Sequence, residues 1–395
     1  MRRTAVQGLG LSLGLALVLG LGACSGDGDD GPGPDTVTAP TDEGSPSDPS
    51  SPPSGSPSPR GPSAGPGEGR TVKVVDTVAT GLEVPWGLGF LPDGRAVVTE
   101  RDTREVLVVD PDGGDPQTVG VVEQAVPEGE GGLLGVAVSP DFARDRMLYF
   151  YATRASDNAV LRARLGRDDR LGSLETVLDG IPKGFIHNGG RLRFGPDGYL
   201  YVSTGETGDG AQSQDRSSLG GKILRITPDG DPAPGNPDPD SPVWTWGHRN
   251  VQGLAFDDGD RLWASEFGQS TYDELNLVRK GRNYGWPEVE GRGDAGEFVN
   301  PLVVWSTSEA SPSGIAWTED HVWMAALGGT RLWRVTTDGP RAGDPTPFLV
   351  GDYGRLRTVE VAPDGMLWVT TSNRDGRGAP SGDDDRILVV RPGSR

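Results

Sequence analysis

Cysteine is nearly missing from this chain: Cys24 is the one example in 395 residues. A folded body held by disulfides or by a thiolate metal site is excluded, because each needs more than one sulfur. Basic charge is also short. Asp and Glu outnumber Lys and Arg by 57 to 37, for a formal net charge of −20. A chain this acidic repels polyanions, which argues against nucleic acid as a partner. Histidine occurs three times, at His187, His248 and His321, so any imidazole chemistry must come from one of them. The one continuous apolar run, Leu9 to Leu21, is too short to span a bilayer comfortably. Helical periodicity is absent from the repeating part of the chain. In its place stand 62 glycines, 34 prolines and many short apolar segments.

The apolar run belongs to an export signal. It follows Met1-Arg2-Arg3 and ends in Leu21-Gly22-Ala23-Cys24, a tetrapeptide that resembles the bacterial lipoprotein signal. Residues 1–23 are read as the signal peptide, with Cys24 as the lipidation site. Residues 24–70 are Gly, Pro, Ser, Asp and Thr with almost nothing to bury, and read as a disordered tether. Flexible-chain scaling gives it a reach of roughly 35–40 Å. The expected location is outside the cytoplasm, held to the membrane by the lipid alone.

From Thr71 to Arg395 the chain repeats one phrase: a small residue, an apolar strand, a turn of Pro-Asp-Gly type, and a second strand rich in Val, Trp or Tyr. The copies begin GLGFLPDG at Gly87, GVAVSPDF at Gly135 and RLRFGPDG at Arg191. They continue with GLAFDDGD at Gly253, GIAWTEDH at Gly314 and TVEVAPDG at Thr358. Each is followed by a weaker strand phrase such as EVLVVD from Glu105 or KILRIT from Lys222. Six units of roughly fifty residues, all strand, predict an all-β, six-bladed β-propeller over residues 71–395. The segment Val72–Val78 is a candidate for closing the ring against the last blade.

A hairpin returns the chain to its starting end, so residues just before a first strand and just after a second strand meet at one mouth. His187 and Glu206 flank the third hairpin, an imidazole–carboxylate pair of the kind used for general-base chemistry. Glu130 precedes the second unit. His248, Arg249 and Asn250 precede the fourth, and Glu266 to Gln269 follow it. Arg355 and Arg357 precede the sixth, with Asn373, Arg374 and Asp375 after it. Arg355 and Arg357, two apart, face inward together only if the strand is regular there; otherwise one turns inward and the other to solvent.

Across VPWGLGFLPDGR, EGGLLGVAVSPDF, HNGGRLRFGPDGYLYVSTGE, GHRNVQGLAF, DELNLVRKGRNYGWP and RLRTVEVAPDG the chain resembles the quinoprotein glucose/sorbosone dehydrogenases. The resemblance implies oxidation of an aldose at its anomeric carbon by pyrroloquinoline quinone (PQQ) with Ca²⁺. It makes His187 the general base and Glu206 its acidic partner. It makes Glu130, Arg249, Asn250, Arg355 and Arg357 cofactor contacts, and the backbone around Gly268 and Gln269 the Ca²⁺ ligands. Two positions depart from the family pattern: Glu130 replaces a glutamine and Gly328 replaces a lysine. The first adds negative charge and the second removes positive charge where a trianion is to sit. An unidentified envelope electron acceptor is also implied.

Two other readings compete. A Ca²⁺-dependent hydrolase of the lactonase type would use Glu100, Glu130 and Glu266, and a sugar- or protein-binding propeller would need no cofactor. Substitution of His248 or His321 is expected to be mild, and the tryptophans Trp86, Trp246, Trp263, Trp286 and Trp323 to pack blades, with Trp246 or Trp286 also able to stack on a sugar.

Overall fold

A computed structural model describes residues 71–293 and 296–393. Cys24, the signal region and the tether lie outside them. The described chain forms six four-stranded antiparallel sheets. The first strand, β1 (Lys73–Ala79), is set apart from its neighbours in sequence. Blade one is β2 (Pro85–Phe90), β3 (Ala96–Glu100), β4 (Glu105–Val109) and β5 (Gln117–Val121). Blade two is β6 (Leu133–Val138), β7 (Met147–Thr153), β8 (Asn158–Arg164) and β9 (Glu175–Ile181). Blade three is β10 (Leu192–Phe194), β11 (Leu200–Ser203), β12 (Lys222–Ile226) and β13 (Val243–Trp246). Blade four is β14 (Val251–Phe256), β15 (Leu262–Glu266), β16 (Tyr272–Val278) and β17 (Val303–Ser306). Blade five is β18 (Pro312–Thr318), β19 (His321–Ala326), β20 (Arg331–Asp338) and β21 (Arg341–Phe348). Blade six is β22 (Leu356–Val361), β23 (Leu367–Thr371) and β24 (Ile387–Arg391), completed by β1 from the other end of the domain.

That completion closes the ring. β1 pairs with β24 from Lys73↔Arg391 to Ala79↔Ile387, so the first and last strands share one sheet. The sequence expectation for this strand holds within one residue at each end.

The core is a set of seams, one at every junction between neighbouring blades. Tyr149 and Tyr151 of blade two pack with Leu200, Leu224 and Ile226 of blade three, and Trp263 and Leu275 of blade four with Met324 and Trp333 of blade five. Second strands are squeezed between two blades. Thus β3, β15 and β23 are buried at every residue, which explains the apolar residues that open each of them. First strands neighbour one another around the axis, which is why a small residue opens so many repeats. A Cβ on Gly87 would lie 2.7 Å from the Val136 nitrogen, and one on Gly135 would lie 2.2 Å from the Gly190 oxygen.

Every blade also carries a fourth strand that the repeat phrases do not contain. β9 and β21 are mostly exposed, so no apolar pattern marks them.

Candidate active site

At one end of the ring the loops entering first strands meet the loops leaving second strands. His187 and Glu206 come together there: His187 Nδ1 and Glu206 Oε1 are hydrogen-bonded. The local chain is built for this. His187 has φ 55°, in the left-handed region, and the carbonyl oxygen of His187 accepts the Thr207 N–H. Gly205 is needed beside it, because a Cβ would lie 1.9 Å from the His187 oxygen. Glu206 is buried, and its own N–H donates to the Arg249 carbonyl at 2.8 Å.

Two cavities open at this mouth. One, ≈ 540 Å³, is walled by His187, Glu206, Arg249, Gln269 and Trp286. The other, ≈ 360 Å³, is walled by Trp86, Glu130, Arg355, Arg357, Asp375 and Arg377. Glu130 ties them together. Its Oε2 accepts the His187 N–H at 3.0 Å and its Oε1 accepts from Arg377 Nη1 at 2.8 Å. Burial works to raise the Glu130 carboxyl, but the His187 N–H and the Arg377 guanidinium outweigh it and hold it below the usual range. The negative charge that the sequence places at Glu130 is therefore met by Arg377, a residue that sequence reasoning missed.

Arg355 and Arg357 converge. A register shift between Leu356 and Thr358 breaks the regular alternation at the start of β22. Both guanidinium groups nevertheless reach Asp375 Oδ2, at 2.9 Å from Arg355 and 3.5 Å from Arg357. Burial works against the Asp375 charge, yet the two arginines keep its carboxyl below the ordinary range. Arg357 is pushed down to about 9 by burial, opposed by Asp375. Across both cavities, Arg101, Arg249, Arg355, Arg357 and Arg377 face Glu130, Glu206 and Asp375. Counting Asp102, which pairs with Arg101 at 2.6 Å, five cations stand against four anions, a net positive mouth on an acidic protein.

Two buried donors there have no partner among the described residues: Arg249 Nε and Trp286 Nε1. They sit together, with the Arg249 guanidinium 5.4 Å from the centre of the Trp286 ring. Unsatisfied buried N–H groups are costly, so both call for an acceptor-bearing ligand. Trp305 and Trp323 also have unpaired indole N–H groups; Trp286 differs from them in lining a cavity. Trp86, Trp263 and Trp323 are fully buried, as a packing role requires.

Other positions differ from expectation. Asn250 is buried behind Arg249, with its Oδ1 accepting the Gly189 N–H at 3.0 Å, and it lines neither cavity. Gln269 lines the larger cavity, whereas Gly268 lies under it, where a Cβ would be 1.9 Å from the Tyr272 oxygen. The N–H groups of Gln269, Ser270, Thr271 and Tyr272 all donate to Glu290 Oε1. His248 is not a bystander. It is fully buried and stacked on Tyr284, with Nε2 2.9 Å from Thr245 Oγ1 and Nδ1 2.8 Å from Glu266 Oε2.

The acids of the hydrolase reading are engaged separately. Glu100 accepts from the Glu83 N–H and from Thr103, Glu130 is held as above, and Glu266 serves His248 and the Arg249 N–H. Among the described residues no three His, Cys, Asp or Glu side chains gather as a metal site.

The glucose/sorbosone dehydrogenase family profile matches residues 82–387. The chain belongs to this family. A solved structure of the PQQ-bound aldose sugar dehydrogenase from Streptomyces coelicolor is 57% identical, covers 83% of this chain and 99% of its own, and superposes with a TM-score of 0.80. A glucose dehydrogenase-like oxidoreductase from Thermus thermophilus is 42% identical over 81% of this chain and 99% of its own, with a TM-score of 0.75. The aldose sugar dehydrogenase of Escherichia coli is 30% identical over 76% of this chain and 91% of its own. No helix among the described residues is long and apolar enough to cross a membrane.

Proposed function

We propose that the protein is a PQQ-dependent dehydrogenase that oxidises aldoses at the anomeric carbon, assisted by Ca²⁺. The observation that carries this reading is the His187–Glu206 pair set beside two orphaned donors, Arg249 Nε and Trp286 Nε1, in an arginine-rich mouth. The donor set fits the cofactor. Guanidinium forks and an indole N–H suit a flat, carboxylate-bearing anion, and the family structure from Streptomyces coelicolor was solved with PQQ bound.

Arg249 and Trp286 would hold the cofactor on one side, Arg355 and Arg357 on the other. When bound, PQQ supplies the two-electron acceptor for the hydride of the anomeric C–H. The rest belongs to this chain. Glu206 accepts from His187 Nδ1, which leaves Nε2 as the basic nitrogen that takes the sugar hydroxyl proton. Glu206 then stabilises the imidazolium. Asn250 works one layer down, fixing the Gly189 N–H and through it the loop that presents His187. Ca²⁺ is proposed on the backbone carbonyls of Gly268 and Gln269. Among the described residues no loop backbone hydrogen bond ends on the Gly268 or Gln269 carbonyl, and a hard cation favours oxygen.

The protein is further proposed to be exported and tethered through lipid at Cys24, passing electrons to an envelope acceptor. Purified protein reconstituted with PQQ and Ca²⁺ is expected to reduce a redox dye with aldoses as donors. Absence of quinone binding, or lactone opening without quinone, would overturn the reading. Arg377→Ala should weaken PQQ binding about three- to tenfold by freeing the Glu130 charge, and adding Glu130→Gln should recover most of that loss. Titration of tryptophan fluorescence with PQQ measures both.

A further inference from the structure

The six first strands place one residue each at two successive levels of the ring axis. Nearer the mouth these are Gly87, Gly135, Arg191, Gly253, Gly314 and Thr358; one step deeper they are Gly89, Ala137, Arg193, Ala255, Ala316 and Glu360. At both levels four blades contribute a small residue. Blades three and six contribute long or polar ones that bond across the axis.

The two levels differ in charge. In the deeper one, Arg193 Nη1 meets both Glu360 oxygens, at 3.0 and 2.8 Å. In the upper one, Arg191 faces a hydroxyl. Its Nη2 donates to Thr358 Oγ1 at 3.1 Å and its Nε to the Gln252 carbonyl at 2.8 Å. Among the described residues no carboxylate lies within ion-pair distance of Arg191, although it is buried; burial pushes its guanidinium down to about 10, with Glu360 one level deeper opposing the shift and Arg193 beside it adding to it. Gly314 makes room for it: a Cβ there would lie 3.1 Å from Arg191 Nη2.

This buried cation sits directly behind the proposed cofactor site. Its guanidinium lies 4.4 Å from the centre of the Trp86 ring, and Trp86 forms part of the smaller cavity wall. Arg357 lies 5.8 Å from the same ring centre and shares Gln252 with Arg191. Both acids in that wall are already taken, Asp375 by Arg355 and Arg357 and Glu130 by Arg377. If filling the axis were the whole purpose, an apolar side chain would do it without desolvating a charge.

We infer that Arg191 is a buried cation left without a counter-ion so that the mouth binds the reduced state of its anionic cofactor more tightly than the oxidised state. The inference rests on the PQQ reading above. Oxidation of a neutral aldose to a neutral lactone sends the hydroxyl proton to His187 and two electrons with one proton, as hydride, to the acceptor. The acceptor thereby gains one negative charge. A fixed positive charge in a dry wall favours that gain, and it needs no reorganisation to do so.

The test measures the PQQ affinity of the oxidised protein and the midpoint potential of the bound cofactor by reductive titration, with thermal stability followed by calorimetry. Wild type is compared with Arg191→Met, Arg191→Lys and Thr358→Glu, the last of which keeps the arginine and supplies the missing acid. Arg191→Met and Thr358→Glu are expected to lower the potential, and Arg191→Lys to hold it near wild type. The expected size is tenfold or more in relative affinity, about 30 mV per tenfold for a two-electron couple. An unchanged potential in either charge-removing variant overturns the inference. So does a loss of stability in Arg191→Met with equal weakening of both redox states, which is the mark of a purely structural residue. Failure of wild type to bind PQQ instead overturns the functional reading itself.

Discussion

At His187 the ring is pinned through Nδ1, while its backbone N–H is held by Glu130. Side chain and main chain are thus fixed by different acids. His187→Ala should lower turnover by about 10²–10⁴-fold, the usual worth of a general base, with the fold retained. A near-normal rate would remove the base assignment. His248 behaves in the opposite way. Its ring joins Thr245 to Glu266, and Glu266 also anchors the Arg249 N–H at 2.5 Å. His248→Ala leaves a buried carboxylate and hydroxyl short of partners, so it should cost about 1–3 kcal/mol in stability, read from denaturant unfolding. Both histidines lie in hairpin-end loops, and the sequence marks out only His187. Each has an acid across its own hairpin, Glu206 for His187 and Glu266 for His248, but the burial of His248 depends on Tyr284, 36 positions further on, which the sequence does not show. Arg191 did leave a trace, as the long side chain where four other repeats begin with glycine, but only a shared axis gives that oddity meaning.

Strand β16 shows what an element adds beyond its residues. It carries Asp273 and Glu274 side by side into the interior. Burial pushes Asp273 up to about 6, and burial together with neighbouring Glu266 pushes Glu274 up as well. A carboxyl raised in the folded state binds more protons folded than unfolded through the intervening range. Its contribution is therefore complete at low pH and is lost as pH rises through the folded value. Glu274→Gln should flatten this part of the profile. Between about pH 5 and about pH 8, the melting temperature of the variant should gain on wild type, as calorimetry across that range would show. A constant difference between the two would contradict the assignment. The strands differed in legibility for a related reason. Second strands are dry on both faces and announce themselves as apolar runs. Outer strands such as β21, exposed at most positions, carry no such mark and are recognised only once a sheet needs its edge.

For the whole molecule, stability is distributed around a closed ring, since each seam joins two blades and β1 completes the last. Protein beginning at Thr71 should melt as the full chain does. Protein beginning after Ala79 should lose its cooperative transition, because blade six then lacks its outer strand. PQQ binding should weaken as salt rises, because the net-positive mouth attracts a trianion and the screening length falls from about 10 Å at 0.1 M to about 3 Å at 1 M. The architecture was readable because six copies of one phrase sum to a ring. Asp375 and Arg377 were harder to place, because their roles depend on partners from other parts of the chain. The direction of β1 has one more consequence. Lys73 pairs with Arg391, at the end of β24 remote from the mouth, and Ala79 pairs with Ile387, near it. The chain therefore enters the propeller on its blind side. A tag or surface linkage joined just ahead of Lys73 would therefore bear on the rim opposite the mouth and leave the openings of the cavities clear.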